Sequence, residues 1–285
     1  MSNSEAMAAR LRRGASRVAI YLFLILIAAM TLTPLVSLVL ASLKKDMELI
    51  NSGGFALPRA PQWGNYAMAW TKGHMGVYFT NTVLVTLAVA VIGIGLAVSC
   101  AYAIATLKIP FRKFWMFLFM IGIIFPESSI IIPSYFNLRA MGLYDTIWAL
   151  ILPQAAMSIA FGAFFLQPAF KDIPEELIDC SVLDGCGEGT ILVRVLLPLL
   201  QPAIAVLAIF FFLATWNDFL VASILVSKDQ LRTLPFALLS FQQRYTAKAS
   251  LIAASTVISA LPAIALYLVF FRNVIQGVTA GALKE

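Results

Sequence analysis

The chain has 285 residues, 61% of them apolar and only 12% charged, with a formal net charge of +6. A soluble domain averages about 25% charged residues, and a globule of this size has too little interior to hide the surplus apolar surface. A water-soluble fold is therefore excluded, and the basic residues, which sit at the ends of apolar runs, read as helix anchors rather than as a nucleic-acid surface.

In chain order, the tail 1–16 carries Arg10, Arg12 and Arg13, and Arg17 follows it. The first apolar run, 17–43, is far longer than the apolar part of a signal peptide and reads as a retained first helix. Further runs at 80–107, 113–136, 146–167, 199–226 and 250–271 are each long enough to cross a hydrocarbon core of about 30 Å. Stretches such as Ile20 to Met30 are apolar all round. Barrel strands would alternate, so helices are expected. The third run is the least regular, with Pro126, Glu127 and Pro133 inside it.

The fold class is thus an all-α integral membrane protein with about six transmembrane helices. The basic tail and Lys108, Arg112 and Lys113 favour a cytoplasmic N-terminus, and an even helix count then puts the C-terminal tail, 272–285, inside as well. On this reading 44–79, 137–145 and 227–249 face outward, and 168–198 faces inward. The three cysteines and one histidine cannot assemble a zinc or haem set. No Ser/His/Asp set or paired-carboxylate site is suggested, so no catalytic or metal residue is expected.

Residues 171–198 read KDIPEELIDCSVLDGCGEGTILVRVLLP and hold six of the 14 acidic residues. Asp172 is placed to cap a short helix, with Glu175 completing a capping box. Leu177, Cys180, Ser181 and Asp184 fall at helical spacing along one side. Gly185 should end the helix in the left-handed conformation. A second short helix is expected from about Glu188 to Leu196, stopped by Pro198. Such a helix reads either as an amphipathic loop helix lying on the membrane surface or as a docking knob for a cytoplasmic partner, and its acidic balance weakens the first reading because an anionic inner leaflet attracts basic segments.

The segment resembles the EAA loop of ABC-importer permeases, EAA-x3-G-x9-I-x-LP. The matching positions are Asp179, Cys180 and Ser181, then Gly185, then Val195, Leu197 and Pro198. The extended form is matched by Ile173, Pro174, Glu176, Leu177, Asp184, Gly185 and Cys186. Asp-Cys-Ser replaces Glu-Ala-Ala, and Cys186-Gly187 stands where Ala-Ser is usual. Thr33-Pro34-Leu35, Asn65-Tyr66, Ala101-Tyr102-Ala103, Pro110-Phe111-Arg112, Trp216-Asn217-Asp218-Phe219 and the ending Gly277 to Lys284 resemble the shorter permease subunit of the maltose-type, carbohydrate-uptake group.

That resemblance implies a type I importer permease: a six-helix domain over 17–271 with a cytoplasmic coupling loop at 168–198. It implies half of a translocation pathway in an inner membrane, for a sugar or sugar derivative. The chain has no GxxxxGK[ST] phosphate loop, so ATP and magnesium are expected on a partner ATPase dimer and no cofactor on this chain. A second homologous permease, an extracytoplasmic binding protein and membrane lipid complete the implied partners, with no nucleic acid. Glu176, Asp179, Cys180, Ser181, Leu183, Asp184 and Gly185 are the implied ATPase-coupling residues.

Polar groups inside a membrane are costly and tend to face a cavity or each other. Glu127, Trp216, Asn217 and Asp218 are therefore the candidate solute pathway, against a purely packing role for the same groups. The alternative function is a secondary transporter driven by an ion gradient. It would show paired broken helices in two related halves, and only the third run looks broken.

Overall fold

A computed structural model describes the backbone of residues 3–238 and 248–282, and the side chains of 16–238 and 248–270. The described residues form helices joined by short turns. These are α1 (Asn3–Ser42), α2 (Asp46–Ser52), α3 (Gly64–Lys72), α4 (Met75–Ala105), α5 (Arg112–Ile124), α6 (Glu127–Ala140), α7 (Ile147–Lys171) and α8 (Glu175–Leu183). After them come α9 (Glu188–Thr190), α10 (Leu197–Leu199), α11 (Gln201–Trp216), α12 (Leu220–Leu225) and α13 (Ala249–Ala282).

Four helical stretches are long and apolar enough to span a bilayer alone: Ser16–Ser42, Met75–Ala105, Ile147–Lys171 and Ala249–Phe270. Two bent pairs bring the number to six if each pair is one span. The first joins α5 to α6 with a bend of 99° at Phe125–Pro126, where Pro126 takes an extended conformation. The second joins Glu188–Leu199 to α11 with a bend of 82°. The single helix expected over 199–226 is thus corrected. The chain leaves helical geometry between Trp216 and Leu220, a break at one polar Asn-Asp step that hydropathy averaged over a run does not register. The ending that resembles the permease tail lies beyond the described side chains, although the backbone stays helical to Ala282.

The described chain divides into two compact units. In the unit holding residues up to Ala69 together with 248–258, polar groups tie the turn after α1. Asn65 Nδ2 donates to the carbonyls of Ser42 (2.8 Å) and Lys44 (2.9 Å), and the Ser42 and Tyr66 hydroxyls meet at 2.6 Å. Lys44 is fully buried, and its ammonium donates to the Gly53 carbonyl at 2.6 Å. Asp46 Oδ1 accepts both the backbone N–H (3.0 Å) and the hydroxyl (2.7 Å) of Ser250, capping α13.

The other unit, holding residues 70–238 and those from Ser259 onward, is built on α4 and α7. They run side by side with small residues at the seam. A Cβ on Gly162 would lie 2.6 Å from the Ala97 Cβ, and one on Gly93 would lie 3.0 Å from the Ser158 Cβ. Without a hydrophobic drive between helices in lipid, such close approach is what holds them together. Two apolar clusters sit along this pair. One gathers Val85, Val89, Ile131, Leu150, Val221 and Leu225. The other gathers Ala97, Tyr102, Leu166, Phe170, Ile191 and Leu207 at the end leading to α8.

At the opposite end, Tyr78 donates to Asp229 Oδ1 (2.9 Å), Asn81 to the Gln230 carbonyl (2.7 Å), and the Leu234 N–H to Thr82 Oγ1 (2.8 Å). Asp145, in the left-handed region at φ 59°, accepts the N–H groups of Ser227 and Lys228 at 2.9 Å each. Burial alone would raise the Asp145 pKa, but those two N–H groups and the Lys228 ammonium overcome it and hold it below the ordinary carboxylate value. The Lys228 side chain is 62% exposed, so the ion pair adds little and the backbone bonds carry the latch.

Two outcomes follow from this packing. Gly162→Val should destabilise the detergent-solubilised protein by about 1–3 kcal/mol through overpacking, read as a lower thermal midpoint. Gly95→Ala, mid-helix where a Cβ meets nothing within 4 Å, should hold or slightly raise the midpoint. The Asp145 latch contributes stability above the unfolded-state pKa of about 3.9. That contribution disappears as pH falls through the depressed folded value. Asp145→Asn, which tolerates the left-handed backbone, should lower the midpoint at neutral pH and flatten its dependence in the acid range.

Candidate functional site

The segment between α7 and α11 is built around α8. Its entry differs from expectation. α7 runs to Lys171, so Asp172 closes α7 instead of capping α8. The residue before α8 is Pro174, extended at φ −57° and ψ 133°, and it makes no side-chain cap. The long apolar face of α7, ending in buried Phe170, carries that helix past the point where Asp172 could begin a new one.

The exit follows expectation. Gly185 has φ +78°, its N–H donates to the Val182 carbonyl and that of Cys186 to the Ser181 carbonyl, both at 3.0 Å. This is a Schellman closure, which satisfies the last carbonyls of the helix. The chain does not stop at Pro198. Over Ile191–Leu196 the backbone widens into π turns and then continues to Leu199. Widening there relieves the clash that a proline ring makes with the carbonyl four residues earlier.

The seven candidate coupling residues separate by face. Glu176, Asp179, Cys180, Leu183, Asp184 and Gly185 are exposed. Ser181 is buried, with its hydroxyl donating to the Leu177 carbonyl at 2.7 Å. Ile178 joins it on the inward side, packed against the apolar cluster at that end of the unit. The side predicted from Leu177, Cys180, Ser181 and Asp184 therefore holds only one inward residue. Leu177, Val182 and Leu183 leave 42%, 56% and 86% of their surface open. These apolar side chains stand exposed beside Glu176, Asp179 and Asp184 on a short, closed helix.

The four candidate pathway residues lie near two helix breaks. Glu127 opens α6 directly after the Pro126 bend. Asp218 sits in the interruption between α11 and α12, and its carboxylate accepts the Val221 N–H (3.3 Å) and the Gln154 side-chain amide (3.4 Å). Asn217 is exposed and donates to the Leu213 carbonyl at 2.8 Å. Trp216 is buried, stacked on Phe212 with Phe79 at its edge, and its indole N–H donates to the Ser259 carbonyl at 3.0 Å. Its ring is covered by packing here. Gln154 was missed in the sequence, though a polar residue inside an apolar run is itself a signal. Among the described residues, no group of three His, Cys, Asp or Glu could hold a metal ion.

Residues 93–280, well over half of the chain, match the family model described as binding-protein-dependent transport system inner membrane component. The chain belongs to this family. It is a non-catalytic permease subunit of an ABC importer, an inner-membrane component. It is 31% identical to the diacetylchitobiose uptake system permease protein NgcG of Streptomyces coelicolor, over 92% of this chain and 87% of that protein. It is 30% identical to the sulfoquinovosyl glycerol transport system permease protein SmoH of Agrobacterium fabrum, over 89% of each. Its fold matches a chain of a bacterial ABC transporter that imports alginate, with a TM-score of 0.74 at 20% identity, covering 95% of this chain and 98% of the other.

The permease's α8 depends on the left-handed Gly185, where a Cβ meets no atom, so the effect of substitution is purely one of backbone strain. Gly185→Val should cost about 1–2 kcal/mol locally. Hydrogen exchange over 177–183 should accelerate roughly tenfold with the thermal midpoint unchanged. Gly187→Ala, at φ −78°, should exchange like the parent.

Proposed function

We propose that this permease lines half of the translocation pathway of a sugar or sugar-derivative importer, and that α8 with Gly185 is the coupling helix gripped by a partner ATPase. The observation that carries this reading is the shape of α8. It is short, acidic-rimmed and closed by a Schellman turn, and it ends in a Leu183 side chain that is 86% exposed. Glu176, Asp179, Cys180, Leu183 and Asp184 form the docking side, and Ser181 seats the helix.

In this reading 168–198 is cytoplasmic, as are both termini. A dimer of ATPase subunits binds ATP and magnesium, a second homologous permease completes the pathway, and an extracytoplasmic binding protein delivers solute. Closure of the ATPases pushes the stiff helix and rocks the bundle between two access states. Glu127, Asn217 and Asp218 supply donors and acceptors to a hydroxyl-rich solute, with Trp216 as packed wall behind them. The sugar class is supported by relatives whose names specify diacetylchitobiose, sulfoquinovosyl glycerol, arabinooligosaccharides and trehalose.

The test is affinity purification of the tagged permease from membranes. An ATPase should co-purify with the parent and be lost with Asp184→Arg, while the variant still inserts. A thermal-shift panel on the partner binding protein should respond to oligosaccharides or polyols. A complex without a nucleotide-hydrolysing subunit would refute the coupling role, and a binding protein answering only to amino acids would refute the sugar class.

A further inference from the structure

Tyr102 lies in the last turn of α4 and is only 5% exposed. It touches both stems of the α8 segment. Its hydroxyl donates to Glu188 Oε2, on the first residue of the exit helix. Its ring lies 6.0 Å from that of Phe170, at the end of α7 on the entry side. Ile173, Ile178 and Cys186, which flank or belong to α8, pack against the same apolar cluster. The end of α4 is itself fixed, because the Arg112 guanidinium donates to the Ala105 carbonyl at 3.1 Å.

A lever transmits force only if its base is held. The Schellman turn stiffens α8 internally, but Gly185, Gly187 and Gly189 punctuate the chain just after it. Left alone, that glycine-rich exit would bend when α8 is pushed. The bond from Tyr102 bridges this weak point and reaches the chain beyond Gly187. A phenol donating to a carboxylate is a charge-assisted bond, stronger than a neutral pair.

We propose that Tyr102 is a positioning residue for coupling: it clamps the exit stem at Glu188 and the entry stem at Phe170 to α4, so that displacement of α8 moves α4 instead of flexing the glycine loop. The inference rests on α8 being the ATPase-coupling helix. The Tyr102 hydroxyl acts through Glu188 and touches neither solute nor nucleotide.

The test uses the assembled importer with its three cysteines in place and a ketone-bearing amino acid introduced at Val91 and at Ile132, exposed on α4 and α6, each carrying a ketone-reactive spin label. Pulsed electron resonance reads the label distance before and after trapping with MgATP and vanadate, and trapped nucleotide is counted separately. The parent should shift its distance distribution on trapping. Tyr102→Phe, which keeps the ring, should trap nucleotide normally yet lose about tenfold of the shifted population per trapped nucleotide, the scale of one charge-assisted bond. Glu188→Ala should do the same, the double variant no worse, and Glu188→Gln, which still accepts a hydrogen bond, should retain the shift.

A normal shift in Tyr102→Phe overturns the proposal, as do additive losses in the double variant. A parent complex that lacks an ATPase, or traps nucleotide without any shift, instead refutes the coupling role of α8 on which the proposal rests.

Discussion

Helices in lipid gain nothing by hiding apolar surface from one another, so their pairing rests on how closely two backbones can approach. In this permease that approach is made by α4 and α7, where Gly93 faces Ser158 and Gly162 faces Ala97. These small residues recur at a spacing of four on both helices, so they form a continuous seam on one face of each. The two apolar clusters grow from that seam, one at each end. The placement of the α8 segment depends on it, because α7 leads into α8 while α4 carries Tyr102, which bonds Glu188 just beyond it. A loosened seam would leave the stems of α8 attached to two independently moving rods.

The breaks in the other membrane helices follow a second constraint. Non-helical backbone is tolerated at membrane depth only where its polar groups are met by protein or by a water-filled cavity. At the interruption after Trp216 the chain meets this need locally. Asp218 receives the Val221 N–H, Gln154 of α7 reaches the same carboxylate, and Asn217 returns to the Leu213 carbonyl. The polar letters of the Trp-Asn-Asp-Phe stretch thus make the break possible, and in the proposed pathway the same groups would meet a solute that carries hydroxyls. Packing and pathway readings of these residues are therefore not exclusive, except at Trp216, whose ring is enclosed by Phe212 and Phe79.

Much of this was legible in the sequence, and the misses have physical causes. Long apolar runs announce spanning helices because burial in lipid acts on the average of about 20 residues. The same averaging hides a two-residue polar break, which is why 199–226 read as one helix. Gly185 was legible because a left-handed helix end is a local requirement that few residues satisfy. The Asp172 cap failed because capping is weak, about 1 kcal/mol, beside the tertiary packing that extends α7 past Phe170. The bond from Tyr102 to Glu188 joins residues 86 apart in sequence. No local pattern encodes such a pair.

The departures of this chain from the EAA pattern become intelligible once the faces of α8 are known. Ser181 replaces an alanine on the inward side, where bulk is excluded, and its added hydroxyl costs little because the Leu177 carbonyl accepts it. Cys180 replaces an alanine on the outward side and remains small and weakly polar. Cys186 stands just past Gly185, where its N–H completes the Schellman closure and its side chain packs on the apolar cluster. An apolar contact is the usual companion of that closure, and a cysteine behaves there as a slightly larger alanine. Each substitution thus preserves the quantity its position is answerable for, whether volume, charge or backbone angle. Gly185 answers for an angle that few residues other than glycine adopt, and there the family's letter stands unchanged.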